Sequence, residues 1–251
     1  RKQFTEAAAV FGDLRQMEPD NDEYLFMKAG SLGMAGKYQE AIDAYDELEV
    51  KVGINEQLAV AKQQVYLSWK KPEKALEEIN RLIESNPGEL QYYGLLAELY
   101  QTLGDKANAL KNYNKILEMD PGNGFVHFSL AGFYQEEGNF SKAFEHIKKA
   151  FQNDEIDVET KVQYYLMQTA DPENSDWTNA QISELLDILH AKYPDNNLMY
   201  TIYADHMIRQ NKLKEAREYL RKYIETDQEN LEIWQRMLFI INDLQDFETL
   251  Y

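Results

Sequence analysis

The chain has 251 residues, a net charge of −18 from 26 Lys and Arg against 44 Asp and Glu, 44% hydrophobic residues and no cysteine. Phosphate backbones and anionic bilayers both call for basic stripes, so this balance disfavours nucleic acid and acidic membrane surfaces as partners. The lack of Cys excludes disulfides, thiolate chemistry and Cys-based zinc sites, and no stretch reaches the ~18 consecutive apolar residues of a membrane span.

From the N-terminus, Phe4, Ala7, Phe11 and Leu14 before Pro19 read as one amphipathic helix over 1–21. Residues 22–55 carry Leu25, Ala29 and Leu32, then Gly36, then Tyr38, Ala41, Tyr45 and Leu48: two helices with apolar stripes around a tight turn. The same plan returns at 56–89 through Tyr66, Ala75, Ile79, Leu82 and Pro87, and at 90–123 through Tyr93, Leu96, Gly104, Ala109, Tyr113 and Pro121. At 124–157 it runs through Leu130, Gly138, Phe140, Ala143 and Ala150. Residues 158–196 form a longer unit with an acidic loop at 171–177, DPENSDW, and Ile182 nearest the place where the other units have a small residue. Residues 197–230 resume the plan through Tyr200, Tyr203, Ala204, Leu213, Ala216 and Leu220, and 231–251 start another unit at Trp234. No strand-like alternation extends beyond a few residues, so the chain is expected to be all-α, with about fourteen helices.

The spacing of 34 residues, the recurrent Ala at the twentieth position (Ala7, Ala41, Ala75, Ala109, Ala143, Ala216), the turn glycines and the closing prolines resemble the tetratricopeptide repeat (TPR) family. That resemblance implies a single array over the whole chain, folded as a right-handed superhelical solenoid. It comprises partial repeats at 1–21 and 231–251 around repeats 22–55, 56–89, 90–123, 124–157, 158–196 and 197–230. The chain departs from the family pattern in the first helix, where Leu25, Ala59, Tyr93, His127 and Tyr200 stand for the usual Trp and only Trp234 keeps it. The half-units at both ends are expected to mark a fragment of a longer protein, with any targeting segment outside it.

Chemistry is sparse. Four histidines show no metal-ligand spacing; His127 is expected in the core, and His146, His190 and His206 at the surface or half-buried. The loop 171–176 lacks the Gly and Glu of an EF-hand and reads as a solvated acidic loop. Asn139-Phe140-Ser141 is a formal glycosylation sequon inside a tight turn. Phosphate-loop, dinucleotide and nucleophile-elbow motifs are absent. No cofactor, metal or catalytic role is expected, and the reading is a protein that is not an enzyme.

In the resembled family, first helices line a concave groove through repeat positions 2, 5, 9, 12 and 13. This places Phe26, Gly30 and Gly33, Gln64 and Leu67, Gly94, Glu98 and Gln101, Phe128, Gly132 and Gln135, and Asp205 in the groove. The Lys and Asn with which chaperone-binding members clamp a C-terminal carboxylate do not occur at positions 5 and 9, so no carboxylate clamp is expected. The glycines would admit a ligand backbone, and Phe26 and Phe128 would be flat anchors; the alternative is that the two Phe pack on the next unit's first helix. The leading expectation is a scaffold that holds a protein or peptide segment. Its rivals are self-association through end faces carrying Phe4, Phe11, Trp234 and Phe239, and a docking or regulatory region of a larger enzyme or sensor.

Overall fold

A computed structural model describes residues 1–170 and 177–244. Among these are fourteen helices and no strand. They are α1 (Lys2–Met17), α2 (Asp22–Ala35), α3 (Tyr38–Val52), α4 (Glu56–Ser68), α5 (Pro72–Ser85), α6 (Leu90–Thr102), α7 (Lys106–Met119), α8 (Gly124–Glu136), α9 (Phe140–Gln152), α10 (Val158–Ala170), α11 (Asn179–Lys192), α12 (Asn197–Arg209), α13 (Leu213–Thr226) and α14 (Leu231–Leu244). The chain divides into two compact units, Arg1–Pro121 and Gly122–Tyr251. Within each unit, helices pack chiefly on their neighbours in sequence, as in an all-α solenoid.

Helix starts follow from local chemistry. Asn21, Asn55, Asn123 and Asn196 each accept a backbone N–H of the following helix, as do Asp105 and Asn139 ahead of α7 and α9. Pro72 opens α5, where its missing N–H costs nothing. Thr178 and Gln181 form a capping box at α11.

The turn inside the helix pairs is a repeated device. Gly36, Gly104 and Gly138 have φ of +85°, +79° and +69°, and Lys70 and Asn211 take the same left-handed conformation at +60° and +59°. The residue after each donates its N–H to the carbonyl five residues back: Lys37 to Leu32, Lys71 to Tyr66, Asp105 to Tyr100, Asn139 to Tyr134 and Lys212 to Met207, at 2.8–2.9 Å. These are the 6→1 bonds of a Schellman turn, and they close the first helix of these five pairs in a fixed geometry.

The recurrent alanines sit where paired helices cross. Ala41, Ala75, Ala109, Ala143 and Ala216 are all fully buried, whereas Ala7 in α1 is half-buried and its neighbour Ala8 is buried. In α11, Ile182 is buried instead, and the helix packs on both α9 and α10. The expected loop at 171–177 lies outside the described residues except for Trp177. That residue is buried, its ring lies 5.4 Å from Phe144, and its Nε1 donates to Tyr164 Oη at 3.2 Å. The indole thus belongs to the core of the second unit, filling space beside a bulkier helix pair.

Candidate partner-binding site

In the first unit, Phe26 is half-buried on α2, its ring edge-on to Tyr45 at 5.3 Å. It is the shared wall of two surface hollows. One, of about 500 Å³, runs between α2 and the α3–α4 junction, with Met27, Leu48, Val52 and Leu58 in its lining. The other, of about 550 Å³, opens toward α4 and is lined by Glu56, Gln57, Val60, Ala61 and Gln64. Hollows of this size, lined by apolar side chains with a few amides and carboxylates, suit side chains of an incoming segment.

Gly30 and Gly33 also lie on α2, but other side chains of this chain approach them. A Cβ on Gly33 would sit 3.1 Å from Val65 Cγ2, and one on Gly30 would sit 3.3 Å from Tyr45 Oη. Both therefore serve close packing within the unit. Leu67 packs against the core that joins α4, α5 and α6. A Cβ on Gly94 would meet Ile116 Cδ1 at 4.0 Å. Glu98 is exposed, and Gln101 accepts a hydrogen bond from Tyr113 Oη at 3.3 Å.

In the second unit, Phe128 is held inside an aromatic cluster, 6.2 Å from Phe151 and 5.5 Å from Tyr164. Tyr164 is on α10, the first helix of the following pair. Gln135 accepts from the same Tyr164 at 3.5 Å, Gly132 has open space above it, and Asp205 pairs with Arg236 of α14. Of the expected groove residues, Phe26 and Gln64 line a common hollow.

The first unit also holds a charge cluster around a buried lysine. Lys62 of α4 is 1% exposed, and its Nζ lies 2.5 Å from Asp46 Oδ1, 2.5 Å from Glu49 Oε2 and 3.5 Å from Glu78 Oε2. Arg81 reaches Glu78 at 3.0 Å and also bonds Glu49. Burial pulls the Lys62 pKa down, but the bonds to Asp46 and Glu49 outweigh it and hold the ammonium above its ordinary value. Burial pushes Glu78 up. Lys62 stands at the seventh repeat position, where Leu96 and Leu130 stand in their own repeats; a charge in that apolar register was the readable signal for this cluster.

His127 is buried as expected. Its Nδ1 meets Nδ1 of half-buried His146 at 2.9 Å, so one ring donates and the other accepts. Burial, then the His127 ring, holds His146 down at about 4. No group of three or more His, Cys, Asp or Glu side chains among the described residues is placed to hold a metal ion, and no described helix is long and apolar enough to cross a membrane.

Two stretches match family models described as tetratricopeptide repeat, residues 1–52 and residues 90–123. No curated protein matches the chain. Among solved structures, one of MamA is similar at 20% identity over 64% of this chain and 92% of that one, with a TM-score of 0.45. A structure of MamA from residue 41 onward, from Desulfovibrio magneticus RS-1, is similar at 21% identity over 59% and 84%, with a TM-score of 0.44.

Proposed function

We propose that this chain, of which residues 1–52 and 90–123 match tetratricopeptide repeat models, is a non-enzymatic scaffold that holds a protein segment in the hollows flanking Phe26. The observation that carries this reading is the pair of adjoining hollows that share the Phe26 ring as a wall. Each can take one side chain, and Gln57, common to both linings, offers amide donors and acceptors to the backbone between them. The positions that would carry a carboxylate clamp hold Phe26, Val60 and Gly94 in this unit, so the segment is bound along its length and not by its terminus.

The test uses Val60→Lys. Val60 lines one hollow and is not among the fully buried core residues, so a charge there blocks the site with little effect on folding. Partners captured by the wild-type protein from its native cells should be lost on the variant while its circular dichroism stays unchanged. A partner retained in full by Val60→Lys would remove the site from the binding surface.

A further inference from the structure

The second unit contains a pocket built from three helices, two of whose lining residues, Thr169 and Arg209, stand at repeat positions 12 and 13 of the units 158–196 and 197–230. Thr169 in the last turn of α10, Asn179, Ile182 and Ser183 in the first turns of α11, and His206, Arg209 and Gln210 at the end of α12 enclose about 380 Å³. That volume falls within the ~300–1,000 Å³ of small-molecule sites. Ile182 supplies an apolar patch and the remaining lining is polar.

The polar groups are ordered. Tyr165 Oη lies 3.1 Å from His206 Nδ1, Ser183 Oγ 3.3 Å from His206 Nε2, and Gln210 Nε2 2.7 Å from the same nitrogen. The amide of Gln210 donates to Nε2, so the imidazole proton sits on Nδ1 and donates to Tyr165. Arg209 Nη1 donates to the Thr169 carbonyl at 3.4 Å. This tether holds a guanidinium at the pocket, and among the described residues it has no carboxylate partner. In a chain of net charge −18, a pocket whose guanidinium has no carboxylate partner among the described residues, with hydroxyl and amide groups beside it, is matched to an anion.

We propose that this pocket binds the carboxylate of a small organic acid, with the Arg209 fork as its charge partner and Ser183, Asn179 and Gln210 as neutral donors. The count of charges chooses the class. Among the described lining residues Arg209 is the one permanent cation, and burial, then Arg209 itself, shifts the His206 pKa below its ordinary value. Asp187 opposes that shift and Lys212 adds to it. One cation balances a singly charged carboxylate, whereas a phosphate dianion would lack a second. Ile182 then packs against the apolar body of the acid.

The ring resonances of His206 in the full chain, followed by NMR, provide the test. Sodium acetate is titrated at constant ionic strength against sodium chloride, with inorganic phosphate in parallel. The expected result is a saturable shift of His206 with acetate and a higher His206 pKa in its presence, while His127 stays unmoved. Arg209→Met should weaken this by about tenfold or more, the loss expected of a charge-assisted hydrogen bond, with thermal stability near wild type. No saturable shift, an equal shift in Arg209→Met, or a response to phosphate alone would each overturn the proposal. A further variant, Asp171→Asn/Glu173→Gln/Asp176→Asn, neutralises the acids between α10 and α11. Acetate binding by this variant but not by the wild type would assign the pocket to the chain's own carboxylates and equally overturn it.

Discussion

The imidazole of His146 makes the second unit sensitive to mild acid. Its pKa in the fold is about 4, against an ordinary 6.5, because it is buried and then because it faces His127. Above pH 6.5 folded and unfolded chains both keep the ring neutral. Between 6.5 and about 4 the unfolded chain accepts a proton that the folded chain refuses, so stability falls across this window and the loss levels off below it. Melting temperatures at pH 7 and pH 5 should differ more for the wild type than for His146→Gln; equal drops would show that the pair carries no such penalty. Periodicity placed His127 in the core because it occupies a stripe position. It did not pair the ring with His146, since the partner is set by how α8 crosses α9. Phe26 and Phe128 make the same point. Both stand at the fifth repeat position, yet one borders open hollows and the other is enclosed by Phe151 and Tyr164.

Among the helix pairs, the turn is the most uniform feature and Lys70 the least suited residue within it. A side chain in the left-handed region costs roughly 1–2 kcal/mol, and glycine returns about 0.5–1 kcal/mol of that as backbone entropy. Lys70→Gly should therefore stabilise the first unit by up to ~1 kcal/mol, read as a higher urea midpoint at unchanged slope. Asn211→Gly should yield less, because asparagine tolerates this conformation better; a loss of stability at Lys70 would contradict this account. The helices themselves were legible as 3.6-residue stripes between glycine, asparagine and proline punctuation. Trp177 was not, because it follows a run of acidic and polar residues whose pattern signals a solvated loop. Only its position over Phe144 and Tyr164 makes it core.

For the molecule as a whole, the net charge of −18 and an apolar face on α14 act against each other. Leu231, Trp234, Leu238 and Phe239 are 74%, 37%, 48% and 63% exposed, a run of apolar side chains that invites association. Like charge opposes it, more strongly at low salt. Sedimentation velocity should show self-association growing as salt rises from about 0.05 M to about 0.5 M, as the screening length shrinks. Phe239→Lys should suppress it. A monomer at every salt and protein concentration would leave the α14 face without that role.

Fold class, helix number and repeat family were present in the amino-acid order, because a 34-residue period of stripes, small residues and turn glycines repeats one local solution many times. Contacts between helices far apart in sequence were not. Whether Gly33 admits a ligand or Val65, whether Lys62 is solvated or enclosed by three carboxylates, and whether Thr169, Ser183 and Arg209 share a pocket depend on helix crossings separated by tens of residues. Those crossings are set by how whole side-chain surfaces interlock, and no pattern within one helix encodes them.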